Sequence, residues 1–318
     1  MRADVGRRPD HITAAGPGAP KGALRGACFA RILGRMSRAS PAPDLSAGGA
    51  PISVLVDYDG TVSRRDIGTE LLSEHALVDE AVVAAKEADY DAGRAGSREL
   101  MQWDMEVLPR DGELLRSVAA AVPQDETFAS FVAAVREAGA AIEIVSDGLG
   151  FYVASNLAGL DAALADLPVA TNENDVDGDG RLAFPYGHPA CFVCGTCKRE
   201  RVRAHEAGGR VVIFIGDGQS DRYAAHHADV VWAKDALLAW GRATGRDFRA
   251  WDRFSEIEAW FVAALADGRL PATGADLPAW RATHRPLAPD FICGPEAWGN
   301  GRTVPRPLDG PAPGVGGS

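Results

Sequence analysis

Three short apolar runs that end abruptly in polar residues constrain the fold more than any other feature of this sequence. Residues 52–56, 140–145 and 211–215 are apolar and largely β-branched, and each run is followed at once by acidic or hydroxyl residues. Such runs predict buried strands. The segments between the later runs have apolar residues at helical spacing. Alternation of strands and helices predicts an α/β fold with a doubly wound, mostly parallel sheet.

The chain divides into segments of different character. Residues 66–122 lack strand signals, which predicts a helical module inserted after the first strand. The sheet-forming core then comprises residues 51–65 and 123–266. Residues 1–50 are rich in Ala, Gly, Pro and Arg without periodicity, which predicts a disordered extension. Residues 267–318 are dominated by Pro, Gly and Trp, and we expect a loosely packed or disordered tail.

Composition narrows the class of partner. The formal net charge of -11 disfavours a nucleic-acid-binding surface, which would need a basic stripe. An anionic substrate stays compatible, because a phosphate pocket needs only local donors and a metal ion.

No stretch approaches the roughly 18 apolar residues of a membrane-spanning helix. The odd number of cysteines, five, favours a reducing compartment. We expect a cytoplasmic protein, with a homodimer as one option for its assembly.

Polar residues at the ends of the predicted strands should meet at one edge of the sheet. Asp57 and Asp59 follow the first strand, Ser146 follows the second, and Asp217 and Asp221 follow the third. Carboxylates brought together repel one another unless a cation lies between them. Hard oxygen ligands suit Mg²⁺. The sequence therefore predicts a magnesium site at this edge.

Four motifs in order resemble those of the haloacid dehalogenase superfamily. Residues 57–61 (DYDGT) are similar to its DxDGT motif, Ser146 to its second motif, Lys198 at a helix start to its third, and residues 216–221 (GDGQSD) to its fourth. The resemblance covers residues 52–265. It implies the Rossmann-like core of that superfamily, with a helical cap inserted between the first and second motifs.

The resemblance also implies an activity and its residues. The activity is Mg²⁺-dependent phosphomonoester hydrolysis through an aspartyl-phosphate, with a small phosphorylated metabolite as substrate. The implied catalytic residues are the nucleophile Asp57 and the acid–base group Asp59. The residues implied to contact the phosphate are Thr61, Ser146, Asp147 and Lys198. The residues implied to hold Mg²⁺ are Asp57, Asp59 through its backbone carbonyl, and Asp217, with Asp221 in support.

Local features resemble one branch of the superfamily, which contains phosphoserine phosphatases. Residues 194–198, 228–234 and 254–257 are similar to the methionine-salvage (MtnX-like) phosphatases, which implies 2-hydroxy-3-keto-5-methylthiopentenyl-1-phosphate as substrate. Residues 194–198 are also similar to phosphocholine and phosphoethanolamine phosphatases, and these substrates remain alternatives, as does phosphoserine. Residues 146–148 read Ser-Asp-Gly where phosphoserine phosphatases have Ser-Gly-Gly, which disfavours phosphoserine.

Two readings from other classes remain open at the level of sequence. A phosphate-binding regulatory protein that has lost turnover would keep the same motifs, although the intact pair of Asp57 and Asp59 speaks against it. A zinc site is the other reading, with ligands at three-residue intervals: His188, Cys191, Cys194 and Cys197. Five polar or aromatic side chains of the helical module are candidates for substrate contact: Glu70, Arg94, Arg98, Trp103 and Glu106.

Overall fold

A seven-stranded sheet forms the centre of the molecule, in the order β4-β3-β2-β1-β5-β6-β7. A computed structural model describes residues 50–283 except 93, 189, 190 and 192. Every pairing is parallel except that of β3 with β4. The predicted α/β, mostly parallel sheet is therefore confirmed. The strands are β1 (Ile52–Val56), β2 (Ala141–Leu149), β3 (Val169–Asn174), β4 (Leu182–Ala183), β5 (Val211–Gly216), β6 (Val230–Ala233) and β7 (Arg249–Ala250).

Helices pack on this sheet and fill the connections between its strands, and a 3-10 turn at Ala162–Leu164 precedes β3. Apolar side chains are buried on both faces of the sheet, as expected for a parallel sheet covered on both sides. The α-helices are α1 (Ile67–His75), α2 (Glu80–Asp91), α3 (Ser97–Val107), α4 (Gly112–Ala121), α5 (Phe128–Glu137), α6 (Gly150–Leu157), α7 (Lys198–Ala207), α8 (Arg222–Ala225), α9 (Asp235–Ala243), α10 (Phe254–Ala266) and α11 (Leu277–Thr283).

Strand β1 lies between β2 and β5, and this position assembles the site. Val56, the last residue of β1, is level with Ile144 of β2 and Ile215 of β5. The residues that follow these three positions therefore lie side by side at one edge of the sheet. This is the edge at which parallel sheets bind their ligands.

Helices α1–α4 follow one another between β1 and α5, where the sequence predicted a helical insertion. The Asp66 carboxylate caps α1 by accepting a hydrogen bond from the Thr69 backbone N–H at 2.8 Å. The end of α4 lies against α6, because the buried Asn156 amide donates to the carbonyls of Ala119 and Val122 at 2.7 and 2.8 Å. The division into a core and a cap at residues 66 and 122 stays a prediction.

A buried polar cluster fastens α7, which carries Lys198, to the sheet. The Glu143 carboxylate on β2 accepts hydrogen bonds from Arg201 at 2.7 Å and pairs with the His205 ring at 3.0 Å. The other His205 ring nitrogen lies 2.8 Å from the Ser53 hydroxyl on β1. Burial opposes the charge on Glu143, but the His205 hydrogen bond and the Arg201 charge lower its pKa overall. This pairing fixes the start of α7 relative to β1.

The C-terminal segment contributes side chains to the core. Leu270 and Trp280 are only 1% and 6% exposed and belong to the main apolar core. The Trp280 indole donates to the Arg269 carbonyl at 2.9 Å, and Arg281 pairs with the buried Asp229. Residues 267–283 therefore include side chains buried in the core, although most residues of this segment are exposed. The prediction of a loosely packed or disordered tail from residue 267 stays a prediction. The predictions for residues 1–49 and 284–318 lie outside the described residues.

Strands β3 and β4 form a hairpin. The strands pair antiparallel, and Gly180 in the turn has a φ of 71°.

Among the described residues, the structure contains no helix with the length and apolar character needed to cross a bilayer.

Candidate active site

Asp57 and Lys198 form the buried centre of the site. Asp57 follows β1 directly and is 5% exposed, and Lys198 at the start of α7 is 3% exposed. The Lys198 ammonium donates to Asp57 Oδ1 and to Asp221 Oδ1, both at 2.6 Å. Burial lowers the pKa of Lys198, but the charges of Asp221 and Asp57 raise it well above its ordinary value. Lys198 is thus held as a cation beside Asp57.

Asp217 approaches the first motif from the loop after β5. The Thr61 hydroxyl donates to Asp217 Oδ1 at 2.7 Å. Gly60 lies between the two segments with a φ of 72°, and any side-chain carbon at this position would overlap the Asp217 carboxylate. Gly60 is therefore required here both by its backbone conformation and by the close approach of Asp217.

Asp221 organises the loop after β5. Its Oδ2 accepts hydrogen bonds from the backbone N–H groups of Asp217 and Gly218 at 3.0 and 2.9 Å. Asp57, Asp217 and Asp221 each offer a carboxylate oxygen, and these oxygens lie within 4.8 Å of one another. Three acids at this spacing have the chemistry of a divalent-cation site built from hard oxygen ligands. The predicted convergence of residues 57 and 217 is present.

The closeness of these carboxylates affects the pKa values of Asp57 and Asp217. Burial, and after it the charge of Asp221, raises the pKa of Asp57 to about 7, although the Lys198 charge acts in the opposite direction. The pKa of Asp217 is raised well above its ordinary value by burial and by the charges of Asp57 and Asp221. A divalent cation beside these groups would favour their ionised forms.

Asp59 faces away from this cluster toward the helical insertion. Its Oδ1 accepts the Ile67 backbone N–H at 3.1 Å, and its Oδ2 accepts the Tyr152 hydroxyl at 3.2 Å. Burial, with the charges of Asp66 and Asp57, raises the pKa of Asp59 well above its ordinary value. A carboxyl group that stays protonated near neutral pH can donate a proton.

The second motif lies next to Asp59. The Ser146 hydroxyl is 3.4 Å from Asp59 Oδ2 and accepts the Gly148 backbone N–H at 2.9 Å. The carboxylate of Asp147 accepts hydrogen bonds from the Ser97 hydroxyl and, at 2.7 Å, from the Thr196 backbone N–H. The side chain of Asp147 therefore links α3 to the loop before α7. Because the Asp147 carboxylate is already hydrogen-bonded, Asp147 would have to contact a phosphate through its backbone N–H. This contact stays a prediction.

A sequence profile of the haloacid dehalogenase-like hydrolases matches residues 54–226, more than half of the chain. The chain belongs to this family. The matched range contains all four motifs together with the strands and loops that bring them to one edge. The predicted haloacid dehalogenase-type enzyme is thus confirmed at the level of the family.

Named relatives of this hydrolase are phosphatases. The chain is 28% identical over 214 residues to the 2-hydroxy-3-keto-5-methylthiopentenyl-1-phosphate phosphatase of Exiguobacterium sibiricum, covering 65% of this chain and 94% of the relative. It is 29% identical to the phosphatase of that name from Brevibacillus brevis, covering 57% of this chain and 82% of the relative.

A solved structure shares the fold. It is a phosphoserine phosphatase with an analogue of its phospho-aspartyl intermediate, matched with a TM-score of 0.50 and 16% identity. The match covers 65% of this chain and 97% of that one. At this identity the likeness concerns the fold alone, and it supports the haloacid dehalogenase architecture.

The motifs of this hydrolase open into a cavity of about 390 Å³, a size typical of small-molecule sites. Core residues form its floor and residues of α1–α3 form its opposite wall. The floor comprises Asp57, Asp59, Asp147, Gly148, Tyr152, Lys198, Asp217, Gly218, Gln219, Ser220 and Ala236. The wall comprises Asp66, Gly68, Thr69, Leu72, Glu87, Tyr90, Asp91, Ser97, Leu100, Met101 and Asp104.

Sequence reasoning missed several residues of this cavity. Tyr152 donates to Asp59 from α6, six positions after Ser146, and Asp104 enters from α3. The five candidates from the helical module do not line the cavity. Arg98 donates to the Cys194 carbonyl at 2.6 Å, Arg94 pairs with Asp89 at the surface, and Glu106 is exposed.

His188 and the three cysteines do not form a potential metal-binding cluster like that of the three acids. Within residues 50–283 as described, the acids at 57, 217 and 221 make the one set of at least three potential ligands close enough to share an ion. Among the described residues, Cys191, Cys194 and Cys197 form no disulfide bond. His188 and the three cysteines line one small pocket, but among the described residues their ligand atoms are not close enough together to share an ion.

Proposed function

We propose that this protein is a Mg²⁺-dependent phosphomonoesterase in which Asp57 takes the phosphoryl group of a small metabolite. The observation that carries the proposal is the convergence of Asp57, Asp217 and Asp221 within 4.8 Å, with the Lys198 ammonium 2.6 Å from Asp57. A buried nucleophilic carboxylate beside a fixed cation matches the needs of phosphoryl transfer, which depends on positioning and on neutralising the phosphoryl oxygens.

In the first step, an Asp57 carboxylate oxygen attacks phosphorus, and the bond from phosphorus to the leaving oxygen breaks. Asp59 gives its proton to that oxygen, so the alcohol departs neutral. In the second step, Asp59 takes a proton from water while the water oxygen attacks phosphorus. The acyl-phosphate bond breaks, which releases inorganic phosphate and restores the Asp57 carboxylate. Thr61, Ser146 and Lys198 are proposed to bind phosphoryl oxygens.

The residues present fit a magnesium ion. Asp57, Asp217 and the backbone carbonyl of Asp59 would hold it, and Asp221 would support the loop that carries Asp217. Their hard oxygens suit Mg²⁺. Burial, and after it the charges of neighbouring carboxylates, raises the pKa of Asp57 and of Asp217, and a divalent cation would favour the ionised form of both. The ion would supply positive charge to the phosphoryl oxygens in the transition state.

The relatives' names supply a first substrate, 2-hydroxy-3-keto-5-methylthiopentenyl-1-phosphate. Phosphoserine fits the cavity less well, because no guanidinium group lies among the described residues that line it and the carboxylate of serine would face acids. A regulatory phosphate-binding protein would not need Asp59 held in a setting that raises its pKa. Cytoplasmic location and a homodimer stay part of the proposal.

Phosphate release from a panel of phosphomonoesters tests the proposal. With Mg²⁺ the wild type should release phosphate, and EDTA should abolish the release until excess Mg²⁺ is restored. Asp57→Asn removes the nucleophile and should lower the rate to the buffer background. Asp252→Asn makes the same chemical change at an exposed position and should retain the rate. Equal rates for wild type and Asp57→Asn would overturn the proposal in favour of a binding protein.

A further inference from the structure

The wall of the cavity opposite the motifs is acidic. Four carboxylates from the helical insertion line it: Asp66, Glu87, Asp91 and Asp104. Among the described residues that line the whole cavity, Lys198 is the one cation, and it is already held between Asp57 and Asp221. The half of the cavity that would receive the leaving group is therefore strongly negative. This charge would repel a substrate whose alcohol carries a carboxylate.

Asp104 differs from the other three acids because it has no partner. Asp66 caps α1, Glu87 accepts the Thr69 hydroxyl at 3.3 Å, and Asp91 accepts the Gln219 amide at 3.1 Å. Asp104 is 9% exposed, and its buried Oδ1 has no hydrogen-bond partner in the structure. A buried carboxylate oxygen without a donor is costly. Asp104 also lines the cavity, so a donor group of a bound ligand would lie close to this carboxyl group.

No protein cation meets this need. Among the described residues, Lys86 is the cation whose charge lowers the pKa of Asp104. Its ammonium is paired with Glu99 at 3.0 Å, and Lys86 does not line the cavity. Burial, and then the charges of Asp66 and Glu87, raises the pKa of Asp104 to about 8. A cation entering the cavity would favour the ionised form of this carboxyl group.

We propose that the leaving group of the substrate carries a cationic nitrogen, and that Asp104 accepts a hydrogen bond from it. The proposal rests on the proposed phosphatase function and names the substrate class of the same site. Tyr90 adds an aromatic side chain to the same wall, a residue type suited to binding cations. The substrate named for the relatives has a leaving group without positive charge, so the proposal separates this chain from them.

A neutral Asp104 offers a competing role. A protonated carboxyl group donates a hydrogen bond, and its partner would then be a carbonyl or hydroxyl oxygen of the substrate. That role would favour a ketone phosphate over an ammonium phosphate. The two roles predict opposite orders of preference for esters of nearly the same size.

Three small esters distinguish the roles. Phosphoethanolamine carries an ammonium group where n-propyl phosphate carries a methyl group, and hydroxyacetone phosphate carries a ketone. With Mg²⁺, the wild type should show a kcat/KM for phosphoethanolamine at least about tenfold above that for either other ester, which is ~1.4 kcal/mol. Asp104→Asn keeps the shape and removes the charge, and it should abolish this preference while hydrolysis of n-propyl phosphate persists.

Two further variants complete the test. Glu106→Gln lies on the same helix, is exposed and is outside the cavity, so it should keep the full preference. Glu87→Gln removes a second acid of the wall and should reduce the preference even if Asp104→Asn does not fold. n-Propyl phosphate hydrolysis reports correct folding of each variant.

The outcomes separate the two proposals. If the wild type hydrolyses p-nitrophenyl phosphate but prefers n-propyl or hydroxyacetone phosphate to phosphoethanolamine, the cationic-nitrogen proposal is wrong and the phosphatase stands. A preference that survives in folded Asp104→Asn would also overturn it. If no ester is hydrolysed, p-nitrophenyl phosphate included, the phosphatase proposal fails and this one with it.

Discussion

At the scale of single residues, burial decides what the acids of this protein can do. Asp57 and Asp59 are two positions apart, yet Asp57 contacts the Lys198 ammonium whereas Asp59 contacts the Tyr152 hydroxyl. The positive partner favours a carboxylate that attacks, and the neutral partner permits a carboxyl group that gives up a proton. Two identical side chains thus acquire different chemistry from their surroundings.

The raised pKa of Asp104 predicts how the free energy of unfolding depends on pH. Its pKa is about 8 in the folded protein and 3.8 in the reference state, so the folded protein binds the extra proton between these values. The stabilisation from neutral Asp104 is present below about pH 4 and is lost as the pH rises through about 8. In Asp104→Asn, the free energy of unfolding should therefore fall less steeply with pH than in the wild type.

Urea unfolding of both proteins at pH 5 and pH 8, without Mg²⁺, measures this difference. The exposed variant Glu106→Gln serves as the control and should follow the wild type. Parallel pH dependence of the wild type and Asp104→Asn would mean that Asp104 titrates as an ordinary surface acid.

The residues of the four motifs were predictable from sequence, whereas those of the cavity wall were not. Asp57, Lys198 and Asp217 stand at strand ends or a helix start within recognisable patterns, and the structure brings them together. Asp104 and Tyr152 lie inside helices, where a buried polar residue and a solvated one look alike in sequence. Only the tertiary packing of α3 and α6, which places Asp104 and Tyr152 at the cavity, distinguishes them.

At the scale of elements, β2 shows where local patterns stop being informative. The sequence predicted an end at Val145, where the apolar run meets polar residues, but the strand continues to Leu149. Leu149 pairs with Asn172 of β3, and the Thr171 hydroxyl donates to the Gly148 carbonyl at 2.7 Å. Pairing with the neighbouring strand therefore extends β2 through the second motif. The sequence around that motif does not indicate this pairing.

The C-terminal helix α11 is a second element whose packing the local sequence pattern does not indicate. Its burial depends on the single large side chain of Trp280 rather than on a periodic apolar face. A short segment rich in Pro and Gly with one buried indole has no signature at helical spacing. Composition therefore did not indicate the burial of Trp280.

Trp280→Ala tests the contribution of α11. Removing a buried indole should lower the free energy of unfolding by about 3–5 kcal/mol. Val262→Ala on α10 removes apolar atoms from a side chain that is 53% exposed and should change stability by less than about 0.5 kcal/mol. Urea unfolding monitored by circular dichroism makes the comparison. Equal stability of the two variants would show that α11 contributes nothing to the fold.

At the scale of the whole molecule, strand order turns distant sequence positions into one site. The sheet places β1 between β2 and β5, so that Asp57 and Asp217, which follow β1 and β5, lie near Ser146 in the last part of β2. The helical insertion then closes the site from the other side, with Ser97 of α3 bonded to Asp147 of the core. In the proposed reaction, the motifs would bind the phosphoryl group and the insertion would contact the leaving group.

The chemistry of that phosphoryl end can be observed by trapping the covalent enzyme. Wild type mixed with Mg²⁺ and a radiolabelled phosphomonoester is quenched in acid during turnover, and the acyl-phosphate is reduced with borohydride before peptide mapping. The account predicts label on the protein only with Mg²⁺, and a reduced side chain at Asp57 alone. Phosphate release without labelled protein, or modification at another residue, would contradict it.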